Sequence, residues 1–204
     1  IVADDETSSL LVSLTSHDVY TYTHSVNVGM LGTMVAKELL RRSHAHDLRE
    51  LGAGLFLHDI GKVRVDPFII NKPGILTQDE LKATRQHPAQ GYSILTETDQ
   101  LTEESRIIVL QHHEREDGTG YPHGLEGEDI HLHGRVCCIA GVYDALTTER
   151  SYKKRMGTFE ALRFMRDHMK GHFERDLFEK FVLLFAADPG VRKGKDFVAL
   201  SLPG

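Results

Sequence analysis

With 204 residues, 40% of them hydrophobic and 26% charged, the chain has the makeup of a globular domain long enough to bury a sizeable core. A formal charge of −6 excludes a general nucleic-acid binder, which carries a basic face, and there is no run of 18 apolar residues to form a transmembrane helix. Thirteen histidines are the outlier; the two cysteines, Cys137 and Cys138, are adjacent, which suits small core residues in a reducing, cytoplasmic setting rather than a disulfide.

The chain opens at Ile1 without a methionine or a visible signal peptide, as expected of a piece of a longer protein with a regulatory module upstream. Val19 to Leu40 reads as a helix, with apolar residues at Val26, Met30, Met34, Val35 and Leu39. Leu48 to Ile60 reads as a second helix, buried because it is nearly all apolar between Leu51 and Leu57. It carries His58 and Asp59 at its C-terminal end, where Gly61 stops it. Val63 to Ile75 is expected to be a loop ending in the turn Lys72-Pro73-Gly74.

Thr77 with Glu80 three residues on forms a capping box, which starts the next helix at Gln78. That helix runs toward Arg85, is interrupted by Pro88 and continues through Ile94 and Leu95. Thr102 caps a helix containing Ile107, Ile108 and Leu110 that ends at His112-His113. Four glycines between Asp117 and Glu128 predict a loop with room for backbone to approach a ligand. Val136 to Leu146 is a core helix; Thr158 to Met169 and Asp176 to Ala187 are two more, the last opened by Asp176 and Glu179. Phe197 to Leu202 reads as a short strand or an apolar tail. Other strands find little support, so the expectation is one all-α bundle forming a single domain over residues 1–204.

The chemistry concentrates in two clusters. His58-Asp59 is followed by Gly61-Lys62, and His112-His113 precedes Gly118-Thr119-Gly120-Tyr121-Pro122, with His87-Pro88 between them and Asp144 beyond. Imidazole with carboxylate suits borderline and hard divalent cations, and one carboxylate can bridge two ions. The candidate ligands in chain order are His24, His58, Asp59, His87, His112, His113 and Asp144, too many for one ion and about right for two. Taken singly, each has an ordinary alternative: His24 as a polar surface residue, His87 as a helix-break histidine, Asp144 as a hydrogen-bonded helix aspartate. It is their joint occurrence that points to a metal centre. His17, His44, His46, His168 and His172 read as exposed or loop histidines, while His123, His131 and His133, near the glycine-rich loop, are undecided.

In this order, from about Tyr20 to Phe185, the motifs resemble the HD-GYP domains, a branch of the HD metal-dependent phosphohydrolases. The resemblance rests on several blocks: His58 to Lys62, then Asn71-Lys72-Pro73-Gly74, then His87-Pro88 with Gly91. To these it adds the His-His-Glu-x-x-Asp-Gly-x-Gly-Tyr-Pro block from His112 to Pro122, and Asp144-Ala145-Leu146-Thr147 with Arg150 and Tyr152. It implies an HD-type helical bundle that hydrolyses the bacterial second messenger cyclic di-GMP to linear pGpG, with GMP a possible further product, at a bimetallic centre. His24, His58, Asp59 and Asp144 are assigned to the first ion; Asp59 bridges to the second, completed by His87, His112 and His113. The resemblance alone favours iron or manganese, with nickel, cobalt or zinc chemically admissible. Some members hold a third metal with a glutamate one helical turn before the first histidine; Tyr20 occupies that position here, so two ions are expected.

Lys62 is read as an electrostatic clamp on a phosphate oxygen or the nucleophile, with a solvated surface lysine as its alternative. Arg150, Lys153 and Lys154 form the best local basic patch for a second phosphate, or simply a charged helix end; Arg85 is a weaker candidate. In the Gly-Tyr-Pro loop, Gly118 and Gly120 permit positive φ, Pro122 fixes the exit and Asp117 caps or braces the turn. Tyr121 is open between docking a GGDEF-domain cyclase, stacking on a base, and plain packing. Two other functions remain: hydrolysis of another cyclic dinucleotide such as cyclic GMP-AMP, and a metal-loaded, non-catalytic module that docks GGDEF cyclases.

Overall fold

The computed structural model describes residues 19–39, 48–99, 101–149 and 154–185. Among these the chain is helical, with a single isolated bridge between Asp117 and Glu126 in place of any strand. Helix α1 (Val19–Leu39) packs against α2 (Leu48–Phe56) and α7 (Leu132–Thr147). Helix α6 (Glu103–Gln111) lies against α2, α5 (His87–Thr98) and α7, while α8 (Thr158–His168) and α9 (Arg175–Leu184) cover the far side of α7. No described helix is long and apolar enough to cross a membrane. The result is an all-α bundle.

Three apolar clusters make the core. The largest joins Val136, Ile139 and Leu146 of α7 to Leu162 of α8 and Phe178 and Phe181 of α9. A second joins Val28, Leu51, Leu55 and Ile108, and a third Leu57, Ile60, Ile94, Leu95 and Val109. Cys137 and Cys138 are buried in α7 as free thiols, Cys138 pushed up to about 12 by burial.

Several boundaries differ from expectation. On α1 the buried face runs through Val28, Val35 and Ala36, so Met30 and Met34, on the opposite side, are 51% and 55% exposed. Counting apolar residues at helical spacing selected a mixed stripe there. Helix α2 ends at Phe56, before His58: pairing tightens from Leu57 N to Ala53 O, four residues back, to Ile60 N to Leu57 O and Lys62 N to Asp59 O, three back. Ile60–Arg64 is therefore a 3-10 turn, and Pro67–Ile70, in the expected loop, makes the one-turn helix α3.

The Thr77 capping box is present in both directions and opens α4 (Gln78–Thr84). Pro88 lies in the first turn of the separate helix α5, where its missing N–H costs nothing, so it starts a helix rather than interrupting one. Thr102 caps α6 by accepting from Ser105 N. Helix α9 starts after Glu174 without a side-chain cap, Glu179 being paired with Arg175 instead of completing a capping box. Leu40, Arg150, Lys153, Phe197–Leu202, His17, His44 and His46 lie outside the described residues.

Candidate metal centre

Three helix ends deliver most of the site. His58 follows α2, His87 begins α5, and His112 and His113 follow α6. The same local device orients three of these rings: Nδ1 lies 2.9 Å from Leu55 O in His58, 2.8 Å from Thr84 O in His87 and 2.8 Å from Val109 O in His112. In each case the partner is the carbonyl three residues back, one of the unpaired acceptors that a helix end leaves over. A carbonyl only accepts, so Nδ1 carries the proton and each Nε2 presents a lone pair to the interior. His24 reaches the same state from α1: its Nδ1 is 2.6 Å from Asp144 Oδ2, leaving Nε2 turned inward.

These lone pairs surround Asp59, which is 1% exposed. Its Oδ1 is 3.2 Å from His87 Nε2 and 3.7 Å from His112 Nε2; its Oδ2 is 3.4 Å from His58 Nε2 and 3.9 Å from His24 Nε2. Two convergent sets result, Asp59 with His87, His112 and His113 on one side, and Asp59 with His24 and His58 on the other. On the first side acceptors face acceptors. His87 Nε2 and His112 Nε2 are 3.1 Å apart, and Asp59 Oδ1 is buried with no hydrogen-bond partner. Three buried acceptors without a donor repel one another unless a cation stands among them, and their chemistry fits a divalent ion.

Asp144 is in neither convergent set. Its carboxylate holds His24 through Oδ2 and accepts from Asn27 Nδ2 at 2.7 Å and Thr148 Oγ1 at 2.8 Å through Oδ1. This is the carboxylate–histidine arrangement that sets ring orientation in metal sites. Lys62 Nζ donates to Asp59 Oδ2 at 2.6 Å.

Burial would raise Asp59, but the Lys62 ammonium beside it holds its carboxyl well below the usual carboxylate range. Burial likewise would raise Asp144, and hydrogen bonds from His24 and Thr148 bring it below that range. Burial pushes His24 down against the opposing pull of Asp144, His113 is well below the usual histidine value, and His112 is lowered to about 3. His24, His112 and His113 are thus neutral near pH 7, the form that binds metal.

A prediction follows for chelator-treated protein. The unfolded chain binds protons at ordinary histidine values, so between about 6.5 and 3 it takes up more protons than the fold does. Stability should fall as pH falls through that window, at up to about 1.4 kcal/mol per pH unit for His112 alone. Asp59 adds to the loss below its ordinary value of 3.8. Melting temperatures measured between pH 7.5 and 4 check this; a flat profile contradicts the buried neutral imidazoles.

The glycine-rich loop forms the rim. Gly118 has φ of +72°, whereas Gly120 does not have positive φ. Gly120 is needed for close approach, since a Cβ there would meet Arg115 N and Glu114 Cα at 2.5 Å. Asp117 Oδ1 accepts from Thr119 N at 3.0 Å and Thr119 Oγ1 at 2.6 Å, and Pro122 follows a cis peptide. Tyr121 is half-buried, stacked on His113 with centroids 4.6 Å apart, and Arg85 lies over its ring at 5.2 Å. Arg85 and Tyr121 also line a shallow groove beside the site.

Three side chains matter here that the sequence reading gave no role or an ordinary one. Glu114 is buried and clamps the loop, Oε1 accepting from His123 N at 2.7 Å and Oε2 from Leu125 N at 3.0 Å. Its signal was its place in the His-His-Glu triplet. Arg115 and His172 line the same cavity of about 330 Å³ as the histidines and Asp59. His172, expected to be an exposed or loop histidine, is half-buried on this wall because the turn carrying it is tied to the loop. Burial, then the Arg115 guanidinium, lowers it. Lys154 is exposed ahead of α8 and is not among the residues lining the cavity.

The HD domain family matches residues 10–177. The chain is 43% identical over 172 residues to a cyclic di-GMP phosphodiesterase of Pseudomonas aeruginosa, covering 84% of this chain and 41% of that protein. It is 39% identical over 146 residues to 3'3'-cGAMP-specific phosphodiesterase 2 of Vibrio cholerae, covering 68% and 28%. A solved structure of a cyclic GMP-AMP-specific phosphodiesterase from V. cholerae superposes with a TM-score of 0.63 at 19% identity, covering 89% of this chain and 49% of that one. The chain therefore spans less than half the length of these relatives. On its helical architecture, its His-Asp centre and these matches, the chain belongs to the HD domain family.

Proposed function

We propose that this domain hydrolyses a phosphodiester bond of cyclic di-GMP, giving linear pGpG, with GMP as a possible second product. The observation that carries the reading is the convergence of lone-pair acceptors on both oxygens of one buried carboxylate, Asp59, inside a cavity. In this reading Asp59 would be a ligand shared by two divalent cations. His87, His112 and His113 would complete one side; His24 and His58, with Asp144 joined to His24, would complete the other. Iron and manganese are the leading candidates. When bound, the pair supplies an activated water and neutralises charge on the phosphate in the transition state.

The chain's own groups do the rest. Nδ1–H bonds to backbone carbonyls or Asp144 fix the rings so that no reorientation accompanies binding. Lys62 holds Asp59 Oδ2 and places an ammonium at the cavity, suited to a phosphate oxygen. Tyr121, backed by His113, offers an edge to the pocket rim. A volume of about 330 Å³ falls at the lower end of the roughly 300–1,000 Å³ range of small-molecule sites. The sequence match to 3'3'-cGAMP-specific relatives favours cyclic GMP-AMP as the second substrate reading. A GGDEF-domain partner and a cytoplasmic setting belong to the finer part of the proposal, resting on the resemblance and on the buried thiols.

The test is turnover of cyclic di-GMP, cyclic GMP-AMP and cyclic di-AMP by manganese- or iron(II)-loaded protein under reducing conditions, with products resolved by chromatography. Cyclic di-GMP consumed fastest, with pGpG appearing first, is expected. Faster loss of cyclic GMP-AMP moves the assignment to the second substrate, and no turnover at full metal loading overturns hydrolysis.

A further inference from the structure

A cyclic dinucleotide carries two phosphates in one ring, so a site that cleaves one must accommodate the other. Among the described residues, the lysine and arginine side chains lining the cavity are Lys62 and Arg115. Lys62 is paired with Asp59 at 2.6 Å and so stands at the cleavage centre, where it serves the scissile phosphate. Arg115, in contrast, bonds a neutral hydroxyl, Thr119 Oγ1, at 3.3 Å, and no described carboxylate lies within ion-pair distance of it. Beside it, His172 packs edge-on against Phe173, and no described residue hydrogen-bonds its ring.

Both are held in place by backbone. Gly118 N donates to Arg115 O at 2.9 Å, closing a turn at Arg115. Asp117 N donates to Gly171 O at 2.9 Å and Glu116 N to His172 O at 3.3 Å, stitching the 169–173 turn between α8 and α9 to the loop after the histidine pair. The buried Glu114 anchors that loop from its other side. A long cation on fixed backbone, spending one N–H on a hydroxyl and none on a described carboxylate, with an imidazole lining the same cavity, is an anion seat sharing that cavity with the metal-ligand cluster.

We infer that Arg115, assisted by His172, binds the non-scissile phosphate of the dinucleotide while the other phosphate is cleaved at the Asp59 centre. This rests on the phosphodiesterase reading above and adds to it a contact that no ligand-type motif announces. Arg115 grips two phosphate oxygens through its planar fork, and His172 contributes one N–H. Neither touches the scissile bond, so both are substrate-binding rather than catalytic residues.

The experiment compares metal-loaded wild type with Arg115→Ala, Arg115→Lys and His172→Gln on two substrates. Cyclic di-GMP carries the second phosphate; bis(p-nitrophenyl) phosphate, an activated diester, lacks it. Losing a charge-assisted contact should lower kcat/KM for cyclic di-GMP about 10- to 100-fold in Arg115→Ala, chiefly through KM, with Arg115→Lys intermediate. His172→Gln should show a smaller rise in KM. Hydrolysis of the small diester and the metal content should stay at wild-type levels. Inhibition by cyclic di-AMP should weaken in parallel, because the phosphates are shared and the bases are not. Equal losses on both diesters, or a drop in metal content, mean that Arg115 only supports the loop and overturn the inference. So does a loss confined to cyclic di-GMP with inhibition by cyclic di-AMP intact, which signals base recognition. Unchanged kinetics for cyclic di-GMP in all three variants overturn the inference alone. Wild type that cleaves the small diester but no cyclic dinucleotide overturns the functional reading and this inference together.

Discussion

Asp59→Ala is expected to lower cyclic dinucleotide turnover by about a thousandfold or more and to reduce bound metal from about two ions per chain to one or none. The size follows from position. Asp59 is the one side chain common to both convergent sets, with Oδ1 facing His87 and His112 and Oδ2 facing His58, His24 and Lys62. Its removal leaves the Lys62 ammonium among imidazoles with no anion, which repels cations as well as failing to bind them. Asp59→Asn keeps the volume and should lose nearly as much, because it lacks the charge and brings an amide N–H toward the lone pairs. Metal analysis alongside initial rates checks this. An Asp59→Asn protein with two ions and turnover within tenfold of wild type would show that the carboxylate is not the bridge.

Gly61→Ala should cost at least about 3 kcal/mol of stability, beyond the usual cost of an overpacked core, because the obstacle is backbone. A Cβ at Gly61 would collide with the carbonyl oxygen of His87 and stand 2.5 Å from Gly91 N. Neither can swing aside as a side-chain tip does, so the 3-10 turn after Asp59 and helix α5 must separate. That same contact sets the distance between Asp59 and His87, now 3.2 Å, so the variant should also lose metal on the His87 side. Urea unfolding of chelator-treated wild type and variant measures the first effect, and metal titration the second. A variant whose unfolding midpoint matches wild type would mean that the two segments are not in contact.

The sequence reading did best where causes act within a few residues. Thr77 and Thr102 start helices because a side-chain oxygen and the backbone N–H three residues on satisfy each other locally. The extent of α7 was legible to within a few residues because its apolar run is unbroken. It did less well where a distant partner decides. Met30 and Met34 fit a helical period, yet Val28, Val35 and Ala36 face the core, since only the position of α2 and α7 selects the buried side of α1. Gly120 looked like a glycine needed for its φ and is needed for the proximity of Glu114 and Arg115.

By itself the sequence determined the kinds of group in the centre, imidazoles and carboxylates too numerous for one ion, and the helical elements that carry them. Which atoms face inward was decided by the fold. His58, His87 and His112 turn Nε2 toward Asp59 because their Nδ1 protons go to carbonyls left unpaired where helices end. His24 does so because α7 brings Asp144 within 2.6 Å of a residue 120 positions away. The same packing set Arg115 and His172 beside the metal-ligand cluster, through a loop–turn contact between segments more than 50 residues apart. Composition and period are properties of neighbours along the chain. The pairing of lone pairs, carboxylates and a guanidinium across one cavity depends on helices packed in space, where no local rule reaches.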